Sequence, residues 1–156
     1  MGTSIIDGVG TFNLANVTTA TLSIGDADGI ALLADGAIGN VRTTVARNYG
    51  NAANYIYEST AGATGSGLTN ANTLTFNGAT ADLSGNVIVT GTAGALQLNG
   101  SLVSLGNNNL TLSSTAATIT GAPTGVSNML ITNGSGRFFR QIPPLAGQTL
   151  TFGQLD

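Results

Sequence analysis

Histidine, cysteine, lysine and tryptophan are all missing from this chain of 156 residues. Without histidine, cysteine or lysine there is no Ser–His–Asp, Cys–His, Ser–Lys or Schiff-base chemistry, and no zinc site of the usual nitrogen and sulfur donors. Without cysteine no disulfide framework exists, and the redox compartment is not readable. Charge is scarce as well: 7% of residues are charged, against about 25% in ordinary soluble domains. Net charge is −3, and the four cations are Arg42, Arg47, Arg137 and Arg140. That leaves no basic footprint for nucleic acid and little repulsion to keep copies apart. Aromatic residues reach only 5%, so a monomer has few large side chains from which to build a thick core. A thin core wound along an axis, or burial shared between identical chains, are the two ways out. No apolar run reaches membrane-spanning length. The start, Met1-Gly2-Thr3-Ser4-Ile5-Ile6, has no basic region and no apolar stretch of a secretory signal, and Ile6 spoils a myristoylation match. Read as written, these residues imply assembly in the cytoplasm, with no membrane partner.

What the chain does have is rhythm. Asp82 is the sole charge between Glu58 and Arg137. Apolar pairs split by one residue return there about every seven positions: Ala81/Leu83, Val87/Val89, Leu96/Leu98, Val103/Leu105, Leu110/Leu112 and Ala117/Ile119. Alternation of period two puts both members of a pair on one face of a strand. Asn77-Gly78, Ser84-Gly85-Asn86, Asn99-Gly100 and Gly106-Asn107-Asn108-Asn109 fill the gaps with residues that tolerate sharp corners. The expected fold is all-β: a short-strand β-solenoid or an intertwined trimeric β-helix, with a small N-terminal β-rich domain. Both alternatives need the same rhythm, and the pattern does not choose between them.

The chain divides on composition into an N-terminal attachment unit at 1–60, a Gly/Ser/Thr linker at 61–72, a shaft at 73–121, and a hairpin and tail at 122–156. Within the first unit Phe12/Leu14, Leu22/Ile24 and Ile30/Leu32 read as strands. Val41, Val45 and Tyr49 recur at fourfold spacing and suggest a short helix near 40–48, although Thr43, Thr44 and Val45 also suit a strand. Met129–Thr132, Asn133–Gly136 and Arg137–Ile142 read as a hairpin stopped by Pro143-Pro144, with a last strand at 148–153.

The shaft residues Gly85-Asn86-Val87-Ile88-Val89-Thr90-Gly91-Thr92 and Leu96-Gln97-Leu98-Asn99-Gly100-Ser101 resemble bacteriophage fibre and virion-appendage proteins. Ser127–Gly136 is similar to a hairpin near the ends of such shafts. The resemblance covers about 70 residues, from 73 to 142, is shared with secreted bacterial adhesins, and transfers no receptor-binding or enzymatic residue. It implies a non-enzymatic virion structural protein, wound as a homotrimer. The lack of a signal peptide favours virion over adhesin, and the short length favours a capsid decoration (cement) protein over a tail fibre. Expected partners are further copies of itself and a major capsid or other virion protein, with no cofactor, and the expected location is the virion.

Candidate contact residues follow from this expectation. Shared burial of Leu83, Val87, Val89, Leu96, Leu98, Leu105, Leu110, Leu112 and Ile119 would hold three chains together. Arg137, Phe138, Phe139 and Arg140 form the one dense aromatic–cation cluster; two adjacent Phe cannot both face one core, so one is expected to meet another chain. The group of Arg42, Arg47, Tyr49, Tyr55 and Tyr57 is a second candidate surface, or packed core.

Other chemistry is weaker. Asp26 and Asp28 are the closest carboxylate pair and would be needed for a depolymerase, but a Gly-flanked Asx turn explains them. A calcium loop would want an oxygen donor where Ile30 stands. Thr73/Thr75, Thr90/Thr92, Thr118/Thr120 and Thr149/Thr151 invite an ice-binding ladder, yet their intervals of 17, 28 and 31 residues are unequal. The sequons at Asn16, Asn99, Asn109 and Asn133 are expected to go unused without secretion. Gly65-Ser66-Gly67 lacks the strand–helix context of a phosphate loop.

Overall fold

A computed structural model describes residues 4–121 and 127–142. Its described part is all-β, with no α-helix and one 3-10 turn at Leu33–Asp35. The chain lays down strands in laps. The first lap is β1 (Ile6–Gly8), β2 (Thr11–Asn13) and β3 (Thr21–Ile24); the second is β4 (Val41–Thr43), β5 (Ala46–Asn48) and β6 (Asn54–Glu58). Shorter laps follow: β7 (Asn70–Ala71), β8 (Thr73–Asn77), β9 (Thr80–Asp82), then β10 (Val87–Val89), β11 (Leu96–Asn99), β12 (Leu102–Ser104). The last are β13 (Leu110–Leu112), β14 (Ile119–Thr120), β15 (Met129–Ile131) and β16 (Phe138–Arg140).

Every pairing between these strands is parallel, and each joins a strand to its counterpart one lap away. The sheets run β3-β6-β8-β11-β14, β7-β10-β13-β16 and β9-β12-β15, with two-stranded additions β1-β4 and β2-β5. Because the pairing is parallel, side chains at matched positions stack in rows. One inward row is Leu22, Tyr55, Leu74, Leu96 and Ile119; another is Ile24, Tyr57, Phe76 and Leu98. Tyr57 and Phe76 stack with ring centroids 5.3 Å apart. A single cluster from Ile24 to Leu130 fills the interior. Each fully covered Leu or Phe in it contributes about 1.5–3 kcal/mol relative to exposure.

The corners explain the amide-rich composition. Asn99 donates to Asn77 across one lap at 2.9 Å, and Asn48 to Asn13 across another at 2.6 Å. Asn86, Asn107 and Asn109 each accept a backbone N–H from the next lap. A short polar side chain at a corner thus replaces the ladder bonds that the turning backbone gives up.

Three expectations are corrected. Residues 40–48 are the strands β4 and β5, not a helix: the parallel partners β1 and β2 claim their backbone, and Val41 and Thr43 point inward by alternation. Residues 129–142 are not a hairpin, since β15 pairs with β12 and β16 with β13. An Asn-Gly corner between two strands looks the same in sequence whether the chain reverses or climbs. Residues 61–72 have linker composition but no linker role: Ala61, Leu68 and Ala71 are buried. Gly65 there has φ +79°, and an added Cβ would overlap the Ile30 carbonyl, so this glycine lets two laps touch. The N-terminal unit is continuous with the shaft through the five-residue register of β6 on β8. The punctuation at 122–126, Pro143-Pro144 and the strand at 148–153 lie outside the described residues.

Candidate interaction surface

The nine residues expected at a shared core separate into two groups. Leu83, Val87, Val89, Leu96, Leu98, Leu105, Leu110 and Leu112 are buried within one chain, so a second chain is not needed to cover them. Ile119 differs: it is 36% exposed, on β14, the last described strand of its sheet.

The cluster at 137–140 lies on the last described strand and is split by alternation. Phe138 sits over Leu110 and packs on the core; Phe139 sits over Thr111, faces outward and is 46% exposed. Arg140 takes the inward position above Leu112, and its guanidinium donates to the Ala117 carbonyl at 2.9 Å. An arginine there puts a polar group at the last described position of the row that runs through Val89 and Leu112. Arg137 is exposed, and its backbone N–H donates to Asn109 Oδ1 at 3.0 Å. Arg137, Phe138, Phe139 and the corner Gly134-Ser135-Gly136 line an open groove of about 640 Å³. Outward along the same sheet run Asn70, Ile88, Thr111 and Phe139, with Ile88 also exposed. No charge interrupts that row.

No family model, no curated protein sequence and no solved structure matches this chain.

The arginine–tyrosine group is mostly framework. Arg47 is buried and donates to the carbonyls of Thr43 at 3.1 Å, Ala31 at 3.3 Å, Leu32 at 3.1 Å and Gly36 at 2.8 Å. Tyr49 donates to the Ala31 carbonyl at 2.9 Å. Together they clamp the long loop between β3 and β4. Tyr55 donates to Gly50 O at 2.9 Å and Tyr57 to Thr64 O at 2.7 Å. Burial pushes the Tyr49 and Tyr55 phenols up to about 12, and Tyr57 well above its ordinary value of 10.0. At Tyr49 the neighbouring Arg47 opposes that rise and Asp35 adds to it.

Asp26 is committed on both oxygens: Oδ1 accepts the Asp28 N–H at 3.0 Å, an Asx turn, and Oδ2 pairs with Arg42 at 3.2 Å. Among the described residues no three acidic groups gather where a metal ion could sit. The threonine triplets do not form a ladder: Thr73/Thr75 and Thr120 lie in one sheet, but Gln97 stands between Thr75 and Thr120 and Thr75 is buried, while Thr90/Thr92 follow β10 outside any strand. Thr149/Thr151 lie outside the described residues. The buried clamp role of Arg47 escaped the sequence, since nothing in a lone arginine says that its acceptors are carbonyls from a distant loop.

Proposed function

We propose that this chain is a β-solenoid shaft acting as a non-enzymatic structural protein of a phage virion, most consistent with a capsid decoration (cement) role. The observation that carries this reading is the allocation of polar groups. Arg47, the tyrosine hydroxyls and Asn86, Asn107 and Asn109 bind the chain's own backbone, Asp26 divides between the Asp28 N–H and Arg42, and Asn77 with Asn99 and Asn13 with Asn48 bond each other. What is left outside is a surface rich in Asn, Ser and Thr on which the exposed charges are few, Asp7, Asp28, Asp35, Asp82 and Arg137, and which suits lateral contact. Because the core closes within one chain, the homotrimer takes the form of three whole shafts side by side. The row of Ile88 and Phe139 supplies the apolar contact, and a shell protein is the further partner. Neither nucleic acid nor a membrane belongs in this reading; among the described residues no helix is long and apolar enough to cross one.

The groove beside Arg137 and Phe139 favours a second reading, a tail-fibre or receptor-binding module whose groove takes a host glycan against an aromatic face. Light scattering after size exclusion, with mass spectrometry of purified particles, separates these. The decoration reading expects three times 15.4 kDa and many copies per shell. A monomer that binds glycan, with Phe139→Ala abolishing binding, would replace it with the second reading.

A further inference from the structure

Three Asn-Gly dipeptides occupy corners of the chain: Asn77-Gly78, Asn99-Gly100 and Asn133-Gly134. In such a pair the backbone nitrogen of the glycine can attack the asparagine side-chain carbonyl, with no Cβ in its way. Attack closes a five-membered imide and expels ammonia. In an unfolded chain the three pairs would react alike. The fold treats them differently.

At the first two corners the attacking nitrogen is held. Gly78 N–H donates to the Asn99 carbonyl at 2.7 Å, and Gly100 N–H donates to Asn128 Oδ1. The Asn99 carboxamide is tied as well, since its Nδ2 donates to Asn77 Oδ1 at 2.9 Å. Both glycines have left-handed φ, +66° and +74°. The third corner reverses this arrangement. Asn133 and Gly134 are exposed, and among the described residues no acceptor takes the Gly134 N–H. The carboxamide oxygen of Asn133 instead accepts two donors from the neighbouring lap, Ser104 Oγ at 2.8 Å and the Gly106 N–H at 3.0 Å. Two donors at such distances polarise the carbonyl and stand where negative charge gathers when a nucleophile adds. An unheld nucleophile and an activated electrophile thus occupy adjacent residues.

We propose that Asn133-Gly134 is a site of spontaneous self-modification, with Ser104 and Gly106 as its oxyanion donors. The Gly134 nitrogen gives its proton to solvent base and bonds to Asn133 Cγ. The negative charge passes to Oδ1, where the two donors hold it. Collapse breaks the Cγ–Nδ2 bond, and ammonia leaves with a proton taken from water. Water then opens the imide at either carbonyl, giving aspartate or isoaspartate, so the net exchange is ammonia lost and water gained. Either product puts a carboxylate between Thr132 and Gly134, which line the groove beside Arg137. Isoaspartate also adds a methylene to the main chain between β15 and β16. Gly134 lies against the Gly106 carbonyl with no room for a Cβ, so the longer chain displaces the strand that carries Phe139. None of these steps depends on a virion role.

The test ages the purified full chain in mildly alkaline buffer, native and in guanidinium, and follows the exchange of ammonia for water by mass spectrometry. Chymotrypsin cuts after Phe76, Leu98 and Leu130, which places the three dipeptides on separate peptides. In native protein the Asn133 peptide is expected to gain mass about tenfold faster than the other two, whose glycine N–H must first give up a hydrogen bond. Guanidinium should abolish the difference. Ser104→Ala removes one oxyanion donor from a half-buried position and should slow the native reaction about three- to tenfold. Ser104→Thr keeps the hydroxyl and should age as the parent does. Equal ageing at the three native corners would overturn the proposal. So would a Ser104→Ala chain that ages as fast as the parent or faster, which would make these hydrogen bonds a restraint. A Ser104→Thr chain that slows as much as Ser104→Ala would overturn it as well.

Discussion

Arg47 holds four backbone carbonyls from inside the fold, three of them on the loop between β3 and β4. Replacing it by methionine keeps the apolar stem and removes a donor from all four, although the Ala31 carbonyl keeps the Tyr49 hydroxyl and the Leu32 carbonyl keeps the Asp35 N–H. A buried acceptor left unpaired costs about 1–3 kcal/mol. Arg47→Met should therefore lower unfolding stability by about 3 kcal/mol, read from the urea midpoint at unchanged slope. The tyrosines give a second prediction at this scale. Their phenols are held neutral in the folded protein, with Tyr49 and Tyr55 raised to about 12 and Tyr57 raised further. A raised folded value means the native state keeps protons that the unfolded state releases. The stabilisation is thus complete below pH 10 and drains away as pH climbs from about 10 to 12. Phenolate absorbance should rise together with loss of β circular dichroism in that window; a normal tyrosine titration in folded protein would contradict the burial.

Strands of two to five residues have no stability of their own and depend on stacking. Position along the stack then sets the cost of a truncation. Leu112 lies fully buried between Val89 and Arg140, and Leu112→Ala should cost about 2–5 kcal/mol. Ile119, on the last described strand of its sheet and 36% exposed, should cost less for the same change, as chemical denaturation of both variants would reveal. Much at this scale was legible beforehand. The split pairs from Ala81 to Leu112 are the inward rows, because alternation is a local property that one strand displays unaided. Partner choice is not local. Asn133–Gly136 carries the same corner chemistry whether the chain reverses or advances a lap, so a hairpin was expected where β15 and β16 climb onto β12 and β13. Residues 61–72 misled for a related reason: small residues that resemble a flexible tether are also those that let laps approach, as Gly65 does against Ile30.

Across the whole molecule, eight of the nine residues expected at an interchain core, Leu83 to Leu112, are buried within a single chain. The candidate contact surface moves outward, to Ile88, Phe139 and the groove at Arg137. Its outward location was half legible in the sequence. Adjacent Phe138 and Phe139 had to face opposite ways, but Ile88 joined the same row only through the register of β10, β13 and β16. Matched strands of each sheet belong to the same chain. That assignment is tested most directly by the Gln97→Cys/Thr120→Cys pair, which bridges β11 and β14, oxidised in the assembled protein and weighed intact without reductant. A self-contained stack predicts single chains lighter by two hydrogen atoms. Covalently linked chains would mean that the strands intertwine between copies, and would contradict the fold described above.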